Sequence, residues 1–127
     1  MKFNSQICTS REQSERLLAL GLKPETADMS YTAIVVNHKV DYRLDCSTPK
    51  SIDIPAWSLH RLIEMMPTMI KRWNQEWELS INNAGVIYFR KDTTAIIEAL
   101  ADNVFDNMVS TIKWLIKEGY FPKEYLV

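Results

Sequence analysis

The sequence predicts an α+β fold, in which a small, mainly antiparallel sheet packs against a long C-terminal amphipathic helix and two shorter helices. Val104–Glu118 is the most distinctive segment, because its apolar side chains fall within one arc of a helical wheel, about 140° wide at roughly 100° per residue. Two other regions alternate apolar and polar residues with the period that indicates half-exposed strands. Turn-forming residues separate these strands, which predicts one β-hairpin and one β-meander.

Length and composition indicate a folded, soluble chain. Its 127 residues match a single domain, residues 1–127, with a core of its own. The formal net charge of −1 provides no global field that would attract nucleic acid or an anionic membrane. No apolar run is long enough to cross a membrane, and residues 1–6 lack the apolar segment of a signal peptide. We therefore expect a cytoplasmic protein with no membrane association.

The first helix is predicted to begin at a capping box, with Thr9 as the N-cap and Glu12 reaching back to its amide, and to end at Gly21. Glu12 and Arg16 are spaced for an ion pair along the helix. We expect this charged face to lie in water.

A hairpin is predicted next along the chain. Tyr31–Val36 is rich in β-branched residues and is predicted to be a buried strand, followed by a turn at Asn37–Lys39 and a half-exposed strand at Val40–Cys46. Cys46 lies on the apolar side of that strand, so we expect a buried thiol. Cys46 and Cys8 form no C-x-x-C pair, and we expect both to be reduced, inert and without metal.

The middle of the chain predicts a short helix within Ile54–Pro67, between two prolines. Ser58 is its expected N-cap, which places Trp57 and Leu62 in the positions of a hydrophobic staple.

The meander is predicted from Trp77–Ile81 and Val86–Arg90, which alternate on either side of a turn at Asn82–Gly85. Thr94–Leu100 is either a third strand or the beginning of the C-terminal helix. We favour the strand, because a helix extended backwards would carry apolar residues off its arc. The N-cap of the C-terminal helix is then expected at Asp102.

Residues that would support catalysis are sparse. The sequence contains no H-E-x-x-H pair, no Gly-rich phosphate loop and no G-x-S-x-G. His38 and His60 are both predicted to lie at the surface. We therefore expect a protein that is not an enzyme and has no cofactor, no catalytic residues and no metal site.

The main functional expectation is a small interaction or accessory protein that binds an unknown protein partner or forms a homodimer. Trp114 lies opposite the apolar arc of its helix, and the tail that follows the helix is too apolar to remain in water. The candidate interaction residues are Trp114, Tyr120, Phe121 and Tyr125.

Nucleic-acid binding is the alternative expectation. Lys71 and Arg72 precede Trp73, a combination that single-strand binding uses for phosphate contacts and base stacking, and Arg90 and Lys91 could lie nearby. Acidic residues follow directly in the sequence, which disfavours this alternative.

Three segments carry a resemblance to a known group of proteins: Ile7–Met29, Ile54–Leu62, and Ala101–Val109 together with Trp114–Tyr120. They resemble a family of small uncharacterised proteins of the Bacteroides group, often found in prophage or conjugative-element neighbourhoods. The resemblance implies a phage-like or other mobile genetic element as the context. It implies no assigned chemistry and no site residue.

Overall fold

The computed structural model describes residues 5–50, 52–82 and 84–127 of the chain. Residues 1–4 of the segment inspected for a signal peptide, and Asn83 of the predicted turn, lie outside the described residues. The chain divides into two compact units. The N-terminal unit runs to Ile63 and includes Tyr125–Val127, and the C-terminal unit comprises Glu64–Glu124. The expectation of a single domain stays a prediction.

The described residues form three α-helices, seven strands and two short 3-10 helices. The elements in chain order are α1 (Arg11–Ala19), a 3-10 helix (Pro24–Thr26), β1 (Met29–Val36), β2 (Lys39–Asp45), β3 (Ile54–Ala56), α2 (Leu59–Met65), β4 (Met69–Arg72), β5 (Gln75–Asn82), β6 (Gly85–Phe89), β7 (Ala95–Ala99), α3 (Val104–Lys117) and a second 3-10 helix (Lys123–Tyr125). The predicted α+β class is confirmed, with two antiparallel sheets in place of the one expected.

Helix α1 begins one residue later than predicted. Its N-cap is Ser10, which exchanges hydrogen bonds with Gln13 in a complete capping box. Thr9 cannot serve as the cap, because its hydroxyl is buried and accepts a hydrogen bond from the backbone N–H of Trp57. The predicted ion pair between Glu12 and Arg16 is confirmed at 2.7 Å on an exposed face.

The N-terminal sheet has the strand order β2-β1-β3. Strand β3 was not predicted, because Pro55 has no N–H to donate and its segment was assigned to the start of a helix. It pairs with β1 only from Met29 to Tyr31. Helix α2 follows, and the predicted N-cap is confirmed because Ser58 accepts a hydrogen bond from the N–H of Arg61.

The tip of the β1–β2 hairpin extends past β3, which pairs with β1 only near its start. Its turn residues, Asn37 and His38, both have positive φ, as a two-residue type I′ turn requires. The prediction of a buried first strand is wrong at this end, because Val35 and Val36 are 71% and 56% exposed. Cys46, expected to be buried, is exposed where the chain leaves β2.

The C-terminal sheet is a meander with the order β4-β5-β6-β7, and α3 packs against β6 and β7. The preference for a strand over a helix at residues 94–100 is confirmed by β7. The N-cap of α3 is Asn103 instead of Asp102, because the Asn103 side chain accepts from the N–H groups of Phe105 and Asp106. None of the helices in the described ranges is long and apolar enough to cross a membrane.

The buried face of α3 is wider than the sequence predicts. Asn107, placed on the polar side by the helical wheel, is 2% exposed. Its amide group accepts from the N–H of Ala101 at 2.7 Å and donates to the Ala101 carbonyl at 2.8 Å. Asn107 therefore fastens the segment after β7 to the helix with a paired hydrogen bond.

We predict that Asn107→Leu lowers the free energy of unfolding by roughly 1–3 kcal/mol, because the volume is kept while both hydrogen bonds are lost. Ser110→Ala, on the exposed side of the same helix, should change it by less than about 0.5 kcal/mol. Urea unfolding of both variants tests this. Equal stabilities would show that the paired hydrogen bond contributes little.

Candidate interaction site

The β4–β5 hairpin ends in an unusual turn. Trp73 and Asn74 both have positive φ, 55° and 59°, and Arg72 is paired with Gln75 in the sheet register. Asn tolerates this conformation, whereas for a bulky side chain such as Trp it is a rare and costly one. The indole of Trp73 is nevertheless 69% exposed. The hairpin therefore holds a large apolar side chain in water on a strained backbone.

Trp73 belongs to a ladder of alternating cations and aromatic rings. The guanidinium of Arg72 lies 4.8 Å from the centre of the Trp73 ring. That ring meets Trp77 edge to face, with centroids 6.2 Å apart at 76°. Directly after the end of β6, Arg90 lies with its guanidinium 5.6 Å from the centre of the Trp77 ring. We call these four residues, Arg72, Trp73, Trp77 and Arg90, the Arg–Trp ladder.

Trp77 is the buried residue of the ladder and fixes it to the C-terminal unit. Its side chain is buried, and its indole N–H donates to the Arg72 carbonyl at 3.2 Å. Cation–π contacts and edge-to-face packing orient the exposed ring of Trp73 on this buried partner. The ladder is thus prearranged, with less side-chain freedom left to lose on binding.

Both arginines are already compensated inside the C-terminal unit. Arg72 forms an ion pair with Glu118 at 3.3 Å. Arg90 donates to Asp92 at 2.7 Å and to the side-chain oxygen of Gln75 at 2.9 Å. The hydrogen bond from Arg90 lowers the pKa of Asp92 from 3.8 to about 2.

Two shallow grooves flank the ladder, with volumes of about 530 Å³ and 460 Å³. Gln75 and Glu76 line both. The remaining lining residues are Glu78, Arg90, Lys91 and Asp92 in the larger groove and Lys71, Arg72, Trp73 and Asn74 in the smaller. The structure therefore brings together all five residues of the predicted nucleic-acid alternative, interleaved with carboxylates.

The predicted interaction residues of the C-terminal helix and tail lie elsewhere. Trp114 is half-buried between Tyr88 and Tyr120, with ring centroids 6.4 Å and 5.7 Å away. Phe121 is buried. Tyr125, in the N-terminal unit, is half-buried with the guanidinium of Arg61 5.5 Å from its ring centre. Their role in an interface stays a prediction.

The other chemically active side chains are scattered. Across the described ranges, no three His, Cys, Asp or Glu side chains are grouped so that they could hold a metal ion. His38 and His60 are exposed. Cys8 is buried beside the hydroxyl of Tyr31, and burial raises the pKa of its thiol.

The ladder itself was missed in the sequence. Lys71–Trp73 was singled out for its composition, but Trp77 was considered only as part of a predicted strand. The Trp73–Asn74 turn was missed because Trp is not a turn-forming residue. The signal that could have revealed the turn was Ile70, because its apolar side chain and that of Trp77 indicate paired strands on both sides of the turn.

Comparisons with models of protein families, with curated proteins and with solved structures found no match for this chain.

We predict that Arg90→Gln raises the pKa of Asp92 from about 2 towards 3.8, because the carboxylate loses its principal hydrogen-bond donor. In the native chain, the ionised Asp92 carboxylate stabilises the folded state at pH values above its ordinary pKa of 3.8. This stabilisation is lost as the pH falls through about 2. NMR titration of the carboxyl carbon tests this, with Arg72→Gln as the control. An unchanged titration of Asp92 in Arg90→Gln would contradict the pairing.

Proposed function

We propose that this chain is a small, non-enzymatic interaction protein that binds another protein through the Arg–Trp ladder. One observation carries the proposal: an indole that is 69% exposed is held at a hairpin tip by a backbone conformation that is unfavourable for Trp. Asn or Gly at this position would relieve the strain without disturbing the strands. A strained, exposed Trp at this position is instead explained by a partner protein whose surface binds the indole.

The composition of the ladder supports a protein partner. Trp and Arg are the residues most enriched among those that dominate binding energy, and they act best when they are held in place before binding. The mixed charges of the two grooves would form the polar rim of such an interface. The partner surface that fits has an apolar pocket for the Trp73 ring, with donors and acceptors around it.

The same charges argue against nucleic acid. Phosphate binding draws its affinity from cations that release counterions, so uncompensated Lys and Arg are needed. Here Arg72 is paired with Glu118 and Arg90 with Asp92, and Glu76 and Glu78 lie on the strand between them. The grooves therefore present a balanced surface and not a basic one.

A cytoplasmic location and a mobile-element context are part of the proposal. The location rests on the sequence composition, and the context rests on the family resemblance alone. An accessory role in such an element is compatible with a chain that binds a partner and carries out no reaction.

We predict that Trp73→Asn abolishes partner binding while leaving the free energy of unfolding unchanged or higher, because Asn suits the left-handed backbone. The measurement is quantitative pull-down from the native host, followed by binding assays with the purified partner. His38→Asn is the matched control, since it changes an exposed left-handed turn residue in the other unit. A partner retained equally by Trp73→Asn would overturn the assignment to the ladder.

We predict negligible affinity for DNA or RNA at physiological salt. Fluorescence anisotropy with a labelled single strand and a labelled duplex tests this over a range of salt concentrations. Saturable binding that weakens steeply with salt, and is lost in the Lys71→Glu/Lys91→Glu variant, would replace the protein partner with a nucleic acid.

A further inference from the structure

Strand β2 is an open edge. It lies at one side of the β2-β1-β3 order, and no second strand pairs with it in the described part of the chain. Open edges expose rows of backbone donors and acceptors that another strand can use. We propose that β2 pairs antiparallel with β2 of a second copy of this chain, centred on Tyr42, so that two three-stranded sheets join into one. This surface belongs to the N-terminal unit and is independent of the Arg–Trp ladder.

The hairpin register decides which backbone groups face outward. Val36 and Lys39 flank the two-residue turn and form the first hydrogen-bonded pair, so odd-numbered residues of β2 bond to β1. The N–H and C=O groups of Val40, Tyr42 and Leu44 therefore point to the open edge. The N–H of Tyr42 donates to the side chain of its neighbour Asp41 at 2.8 Å, as an amide group on the open edge can.

The charges along β2 are complementary to those of an antiparallel β2 strand from a second copy. In antiparallel pairing centred on Tyr42, Lys39 faces Asp45 of the second copy and Asp41 faces Arg43. Two-fold symmetry repeats each pair, so all of the charged residues of the strand meet opposite charges. Val40, which is 62% exposed, meets the apolar Leu44 of the second copy on the other face.

Neighbouring registers are excluded by the same charges. Hydrogen bonding between the two edges requires that residues with outward-pointing N–H and C=O groups face one another. The register can therefore shift only by two residues at a time, which moves the centre of the pair by one residue. Centring the pair on Asp41 sets Asp41 against Asp41 and Lys39 against Arg43. Centring it on Arg43 sets Arg43 against Arg43 and Asp41 against Asp45. The register centred on Tyr42 is the one that pairs the full strand with no like charges.

The charges of β2 are available for this pairing. Lys39, Arg43 and Asp45 are exposed and make no ion pair with any described residue. Asp41 caps the Tyr42 amide in the single chain, and in the pair it would release this amide to the second copy and take Arg43 as its partner. The edge is thus shielded by Asp41 until a strand of matching charge displaces it.

The test is the self-association of the full chain, measured by sedimentation velocity over a range of concentrations. Asp41→Arg and Arg43→Asp should each raise the dimer Kd about tenfold or more, because symmetry converts two opposite-charge pairs into two like-charge pairs. An equimolar mixture of the two variants should restore a heterodimer with nearly the wild-type Kd, since each copy then supplies what the other lacks. Glu25→Arg, an exposed charge reversal away from β2, is the control.

Circular dichroism establishes that each variant is folded. Salt should weaken the wild-type dimer, because exposed ion pairs are screened. A wild-type chain that stays monomeric up to its solubility limit would overturn the proposal. So would a mixture of the two variants that remains monomeric, or single variants that dimerise as well as the control does.

Discussion

Two tight turns with left-handed backbones fix the register of the β1–β2 and β4–β5 hairpins, and the positions of the two candidate surfaces depend on that register. Asn37–His38 joins β1 to β2, and Trp73–Asn74 joins β4 to β5, each with positive φ at both residues. This conformation matches the right-handed twist of strands, so a two-residue turn closes without splaying them. A slip of one residue would turn Trp77 from the core to solvent and reverse which groups of β2 face its open edge. The turns are therefore constraints on function as well as on folding.

The sequence predicted the elements whose signal is periodic. Helix α3, the β1–β2 hairpin and the β5–β6 hairpin follow from apolar spacing, because burial of one face imposes that spacing. Strands β3 and β4 were missed, since a three-residue strand containing Pro and a four-residue strand ending at Arg72 are too short to show a period. The N-caps of α1 and α3 were misplaced by one residue because Thr9–Ser10 and Asp102–Asn103 each offer two good capping side chains.

Buried polar groups account for two further differences. Thr9 and Asn107 are buried because each satisfies backbone groups of a distant or neighbouring segment, which hydropathy does not reveal. The candidate site shows the same limit. The sequence singled out Arg72 and Trp73 by composition and named Arg90 as a residue that could lie nearby, but Trp77 joins them only through cross-strand contacts. Three of the four ladder residues were thus named from the sequence, and cross-strand geometry supplies the fourth.

The two surfaces differ in how their charges are satisfied, and this difference indicates different kinds of partner. In the C-terminal unit the arginines of the ladder are held by Glu118 and Asp92, so the proposed binding there would gain little from new ion pairs and would depend on burying the indole of Trp73. Along β2 the charged side chains form no ion pair with a described residue, and the order of their charges read backwards is the forward order with every sign reversed. Such an order favours an identical strand over an arbitrary one, because each mismatch sets like charges side by side. The two surfaces share no residue, and each belongs to a different unit of the chain.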